Sequence, residues 1–214
     1  MTISKYEIKN RSVLDLLEEF RYTYRELYRP EETNTCLFDE MRGKANLYTG
    51  EEEMRRIVAM GEEHDGSPQS SVCYPIKPQH YNGTHPEEYR KTWHHIDYKM
   101  RSELGLQISA LSTLYPPGGF IGWHNNANAA AFNLIFTWSE KGDGWWKHID
   151  PKTGEVVTIP DVQGWQLKAG QFGTYGSDHV MYHAAQTNCY RITLGYILGQ
   201  NEEYWQDCID YITT

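Results

Sequence analysis

At Gln107 the hydrophobic period of this chain changes, and that change limits the folds open to it. Upstream the apolar residues recur at helical spacing. "SVLDLLEEFRYTYRELY" puts Val13, Leu16, Leu17, Phe20, Tyr24, Leu27 and Tyr28 on one stripe, with Ser12 as the expected N-cap. "TGEEEMRRIVAMGEE" sets Thr49 three positions before Glu52, a capping-box spacing, ahead of Met54, Ile57 and Val58. "THPEEYRKTWHHIDYKMRSELG" opens with Pro86 in its first turn. It offers Tyr89, Trp93, Ile96, Met100 and Leu104 to a core and stops at Gly105. Downstream, short β-like runs stand between Gly, Pro and Asp: Gln107–Tyr115, Phe132–Ser139, Trp145–Asp150, Glu155–Ile159, Gly164–Leu167, Gln171–Tyr175, Val180–His183 and Arg191–Leu198. "DPKTGE" between two of them is a hairpin signal. Helices followed by many short strands predict an α+β chain, with a sandwich or jelly roll carrying helices on its outside. One domain over 1–214 is expected: a mainly helical support over 1–106, a β core over 107–198 and a C-terminal tail over 199–214.

Composition narrows the function. The net charge of -9 argues against a protein built to bind a phosphate backbone. A small molecule or a protein is the expected partner, and nothing fixes an oligomeric state. With only 39% hydrophobic residues, Tyr and Trp must build much of the core. No run of 18 apolar residues is present for a membrane span. The start, "MTISKYEIKNRS", lacks the apolar stretch of a signal peptide. Cys36, Cys73, Cys189 and Cys208 form no CxxC pair, so reduced thiols in a cytoplasmic setting are expected.

The histidines carry the candidate chemistry. His94 and His95 point 100° apart on one helix and cannot share an ion. His179 and His183 lie four apart, but on a strand that is roughly 13 Å. His124 and His183 differ from these: each follows an aromatic residue at a predicted strand edge, in "GWH" and "MYH". Arg191 then opens "RITLGYIL", where alternation puts Arg191, Thr193 and Gly195 on one face. A buried arginine needs an anion, and either a ligand or a distant Asp or Glu would serve.

The order Tyr115, His124, Asn126, His183, Arg191, Thr193, set in "YPPGGFIGWH", "GDGWWKHIDP" and "LKAGQFGTYGSDHVMYHAAQ", resembles the non-haem iron(II)/2-oxoglutarate-dependent oxygenases. It is most similar to their prolyl-hydroxylase-like branch, whose pattern is His-x-Asp/Glu, a distal His, and Arg-x-Ser/Thr. The resemblance spans 107–198 and implies a double-stranded β-helix. It also implies Fe(II) held by His124, Asn126 and His183, and 2-oxoglutarate as co-substrate on Arg191, Thr193 and Tyr115. Hydroxylation of a C–H bond, with succinate and CO2 as co-products, would follow. Arg191 matches the far carboxylate of 2-oxoglutarate because a guanidinium offers a fork of N–H donors.

Asn126 departs from the pattern, because an amide is neutral and a weaker donor than a carboxylate. Four roles are open to it: amide ligand, bystander beside a water, neighbour of a halide in a halogenase, or mark of an inactive ligand-binding jelly roll. For substrate contacts, Trp123, Asn128, Asn133 and Trp146 are candidates, although Trp is as readily core. Arg21, Arg25 and Arg29 form a basic helical stripe that reads as a solvated face. A cupin-like binding protein would want a second His and a Glu after His124, and "HNNANAAAF" has neither.

Overall fold

The computed structural model describes residues 3–30, 39–78, 85–126 and 130–214. It holds eleven strands: β1 (Ser4–Tyr6), β2 (Ser71–Val72), β3 (Tyr74–Pro75), β4 (Ile108–Tyr115), β5 (Phe120–His124), β6 (Ala131–Ser139), β7 (Gly144–Ile149), β8 (Val156–Pro160), β9 (Gly164–Phe172), β10 (His183–Thr187) and β11 (Arg191–Gly199). The helices are α1 (Arg11–Leu27), α2 (Ala45–Thr49), α3 (Glu51–Met60), α4 (Glu87–Leu104) and α5 (Glu202–Thr213). A six-stranded sheet runs β1-β9-β6-β11-β4-β3 and a five-stranded sheet runs β2-β5-β10-β7-β8. All pairings are antiparallel. From β4 to β11 the chain passes back and forth between the two sheets, which is the double-stranded β-helix, or jelly roll.

Strand alternation divides the large sheet into two chemistries. Leu114, Leu134, Phe136, Leu167, Ile192 and Leu194 face outward into one cluster with Val13, Leu17 and Phe20 of α1, Trp93, Ile96 and Met100 of α4, and Trp205 and Ile209 of α5. The opposite face, looking at the small sheet, carries Thr113, Thr137, Gln166, Lys168, Arg191 and Thr193, every one buried. Apolar burial against the helices drives the fold. The polar inner face contributes little of that force and leaves room between the sheets.

Helix boundaries follow local chemistry, with some departures from expectation. The N-cap of α1 is Asn10, not Ser12: its side-chain oxygen accepts from Val13 N–H at 3.3 Å. The Thr49–Glu52 capping box does not form. Thr49 closes α2 by donating to Ala45 O at 2.9 Å, and α3 starts after Gly50 without a side-chain cap. Helix α4 ends as expected at Gly105, in the left-handed region at φ 58°. In "DPKTGE", Asp150 Oδ1 accepts from Lys152 N–H at 2.8 Å and Gly154 turns at φ 73°, closing the β7–β8 hairpin.

Other segments differ from the sequence reading. "FIGWH" is a strand of its own, β5. The two runs Gly164–Leu167 and Gln171–Tyr175 are one strand, β9, ending at Phe172. The last short strand begins at His183 instead of ending there. Residues 199–214 are no tail: Asn201 caps α5 by accepting from Tyr204 N–H at 3.0 Å, and Trp205, Cys208, Ile209 and Ile212 bury against the large sheet. Cys73, Cys189 and Cys208 are free thiols, and Cys36 lies outside the described residues. No helix is long and apolar enough to cross a membrane, among the described residues.

Trp205 is 2% exposed and packs against Phe132 with ring centroids 5.1 Å apart and the rings tilted by 31°. Trp205→Ala should therefore destabilise the protein by about 3–5 kcal/mol in urea unfolding. A loss below about 1 kcal/mol would show that α5 is peripheral to the core.

Candidate functional site

Strand register creates the first half of the site. His124 closes β5, His183 opens β10, and the two are Cα partners across that pair. Directly opposed residues share a face, so both rings enter the space between the sheets. Their centroids are 4.0 Å apart. His124 Nδ1 sits 2.8 Å from Gly122 O, and His183 Nδ1 sits 2.9 Å from Met181 O. A carbonyl can only accept, so each Nδ1 carries the proton and each Nε2 keeps its lone pair. Both rings are buried. Burial pushes His124 down to about 4, against the pull of the Gly122 carbonyl. His183 falls well below the usual imidazole range through burial and the neighbouring His124. Two neutral imidazoles with fixed tautomers result. Gly122 belongs to this arrangement because β5 passes close under a neighbouring segment: an added Cβ would meet Ser70 O at 3.1 Å and Tyr48 Cβ at 3.3 Å.

Asn126 follows two residues later in the left-handed region, at φ 60°, with its N–H donating to Gly66 O at 2.9 Å. Asparagine tolerates this conformation better than most residues. Its side chain is in hydrogen-bonding contact with the His124 ring and lines the same cavity. His64 braces this turn, because its Nδ1 accepts from Gly66 N–H at 3.1 Å.

The second half of the site is built on β11. Arg191 is the Cα partner of Tyr115 on β4, and its guanidinium lies 5.4 Å from the Tyr115 ring centroid. Arg191 Nη1 donates to Thr193 Oγ1 at 2.6 Å, and Nε donates to Asp161 Oδ2 at 2.9 Å. Nη2 is buried and has no hydrogen-bond partner among the described residues. Asp161 is shared: Lys168 Nζ donates to its Oδ1 at 2.8 Å, and Gln166 Nε2 to the same oxygen at 3.2 Å. Burial would push Asp161 up, but Arg191 and Lys168 hold its carboxyl below the usual range. The cluster is two cations and one anion, all with side chains at most 2% exposed. A distant acid does pair with Arg191, as one reading of the sequence allowed, yet it does not neutralise the cluster. Burial holds the Tyr115 hydroxyl above its usual range, so it stays protonated and able to donate.

A cavity of about 810 Å3 joins the two halves, and His124, Asn126, His183, Tyr115, Arg191 and Thr193 all line it. Trp146 and Asn133 also line it. Asn133 donates from Nδ2 to Ala131 O at 3.0 Å. Trp123 does not line the cavity: it lies on the opposite face of β5, packs on Ile57 and Ala184, and donates from Nε1 to Gly50 O at 3.1 Å. Asn128 lies outside the described residues. Arg21 is engaged with Glu18 at 2.7 Å and with the Trp138 ring at 5.3 Å, as suits a solvated helix face.

Sequence reasoning missed Asp161, Lys168, His64 and His148. His148 is the Cα partner of His183 on the far side, on β7, and is wholly buried beside Trp146. Neither of its nitrogens has a hydrogen-bond partner among the described residues, and burial pushes it down to about 4. No three His, Cys, Asp or Glu side chains gather closely enough to hold an ion, among the described residues. The donors that remain for a divalent ion are two imidazole Nε2 atoms and the Asn126 amide oxygen. Imidazole nitrogen with an oxygen donor suits a first-row transition metal. The uncommitted Arg191 Nη2 suits a carboxylate. One cavity holds both features, so a chelating oxo-acid with a second carboxylate could meet both.

No family model matches the chain, and no curated protein matches it. Among solved structures it is similar to a prolyl-4-hydroxylase from Pseudomonas putida, at 12% identity and a TM-score of 0.42, over 93% of this chain and 92% of that one. It is also similar to a dioxygenase for auxin oxidation in rice, at 14% identity and a TM-score of 0.34, over 88% of this chain and 70% of that one.

Proposed function

We propose that this protein is an Fe(II)- and 2-oxoglutarate-dependent dioxygenase that oxidises a C–H bond of a small-molecule or peptidyl substrate. The observation that carries the reading is the buried Arg191 Nη2, without a hydrogen-bond partner among the described residues, on a side chain that lines the same cavity as the paired imidazoles. His124, His183 and Asn126 would hold the iron. Arg191 and Thr193 would take the far carboxylate of 2-oxoglutarate, with Tyr115 as a further donor. Iron with 2-oxoglutarate and dioxygen would supply the oxidising power, one oxygen atom going to the C–H carbon and the other to succinate, with CO2 released.

The chain's own work is to bind, orient and exclude water. The Gly122 and Met181 carbonyls hold both imidazoles in the ligating tautomer, a role that commonly tunes metal affinity. Burial keeps both rings neutral, so no proton competes for Nε2 near pH 7. Phe172 and Trp146, with centroids 5.1 Å and 5.4 Å from His183, wall that ring. Asn126 fills the place where a halide-binding site would carry Gly or Ala, which favours oxidation over halogenation.

Anaerobic addition of Fe(II) and 2-oxoglutarate should give the weak visible charge-transfer band of the chelate and raise the melting temperature. Absence of both effects would overturn the assignment. Arg191→Ala should weaken 2-oxoglutarate by roughly tenfold to a hundredfold, since charge-assisted hydrogen bonds are lost. Arg191→Lys should restore only part, because a point charge lacks the fork. Equal affinity in Arg191→Ala would place the anchor elsewhere. Asn126→Asp should tighten Fe(II), because it adds a negative charge beside a dication. An unchanged Fe(II) titration would remove residue 126 from the metal.

A further inference from the structure

We propose that Lys168, which is absent from the cavity wall, is a positioning residue that sets the charge of the anion site by sharing Asp161 with Arg191. The inference rests on the reading of Arg191 as a carboxylate anchor. It does not rest on the identity of the metal.

The argument is one of charge and connectivity. Asp161 Oδ2 faces Arg191 Nε and Oδ1 faces Lys168 Nζ, each within 2.9 Å. With Arg191 alone, Asp161 would form a neutral pair and the site would have no excess charge to offer a ligand. Lys168 adds a second cation behind the first, wholly buried, where water cannot screen it. The cluster then carries one net positive charge, and Arg191, which lines the cavity, keeps its Nη2 without a hydrogen-bond partner among the described residues. A buried excess charge is costly until an anion arrives. The site is shaped for this arrangement: a Cβ at Gly144 would stand 2.7 Å from Asp161 Oδ2, so glycine on β7 admits the carboxylate.

Proton exchange follows from the same placement. The charged groups acting on Lys168 are Asp161 from the β8–β9 connection, Arg191 from β11, and Lys5, its Cα partner on β1. Its neighbour on β6, Ile135, is uncharged. Burial and the nearby Arg191 push the Lys168 ammonium down to about 8, against the pull of Asp161. A bound carboxylate favours the charged form, so binding draws a proton onto Lys168 near pH 8. By linkage, affinity must weaken as pH rises past that value.

The test is a charge-balance cycle read by calorimetric titration of 2-oxoglutarate into the Mn(II)-loaded protein under argon. Wild type and the Lys168→Met/Asp161→Asn double variant have the same net charge at the site. Lys168→Met has one positive charge fewer, and Asp161→Asn has one more. Lys168→Met should bind roughly tenfold or more weakly, and the double variant should recover most of that loss. Wild type should take up part of a proton on binding at pH 8, measured in two buffers of different ionisation enthalpy, and Lys168→Met should take up none. Wild-type affinity should fall by roughly tenfold from pH 7 to pH 9.5. Mn(II) affinity, set by His124 and His183, should stay equal in all four proteins and so certify the fold. A double variant as weak as Lys168→Met, or equal proton uptake in both, would reduce Lys168 to packing and overturn the proposal while leaving Arg191 as anchor. A wild type that binds Mn(II) but no 2-oxoglutarate at any pH would overturn the anchor itself.

Discussion

The carboxylate of Asp161 is the point on which the interior depends. Two buried cations meet on it, and without it both would stand between the sheets with no anion beside them. A jelly roll usually fills its inner space with apolar side chains from both sheets. Here the large sheet turns Arg191, Lys168, Gln166 and three threonines inward beside Ile135 and Phe172, and most of the apolar duty passes to the helix-covered outer face. This division explains the thick coat of helices. Helices α1, α4 and α5 supply much of the buried apolar area that the inner face does not. Stability and chemistry are thus placed on opposite faces of the same strands, and single substitutions on one face should hardly disturb the other.

The two halves of the site are made by different devices. The guanidinium half is a matter of alternation along one strand, since Arg191 and Thr193 are two apart on β11 and reach each other directly. The imidazole half is a matter of register between two strands. A one-residue slip of β10 against β5 would turn His183 out of the cavity. The pairing is irregular just past this point, with a register shift between His183 and Ala185. Irregular pairing beside a functional pair is a common way to re-aim side chains. The backbone carbonyls at Gly122 and Met181, each two residues before its histidine, then fix both ring orientations with the same local motif.

Much of this was legible in the chain, and the gaps have physical causes. The change of period at Gln107, the Gly105 stop and the inward row of Arg191, Thr193 and Gly195 follow from spacing alone. The same rule, fully applied, places Trp123 outside the cavity, since it neighbours His124 on one strand and must point the other way. Trp205, Cys208, Ile209 and Ile212 likewise have helical spacing after an Asn cap, so α5 was readable where a tail was expected. Asp161 and Lys168 were not. "IPDVQG" looks like a solvated turn and "WQLKAG" like a strand with one exposed lysine. Only the tertiary approach of β8, β9 and β11 reveals that the two charges share a buried contact. The misplaced β10 has a similar cause: its hydrogen-bonded start is set by β5 and β7 across the sheet, and no local signal marks it.

Asn126 stands at the junction of backbone and chemistry. Its φ of 60° serves the chain as much as the site, because the turn that ends β5 requires a residue at ease in the left-handed region. Part of the reason for asparagine here is therefore conformational. Substitution by glycine separates the two causes. Glycine accepts this backbone without strain but removes the amide from beside His124. Asn126→Gly should keep its stability within about 0.5 kcal/mol while weakening Fe(II) and leaving Arg191-dependent carboxylate binding intact. Asn126→Ala should lose about 1 kcal/mol or more to backbone strain, together with the same metal effect. Equal metal affinity in wild type and Asn126→Gly would mean that the turn alone explains this asparagine, and that two histidines do the holding.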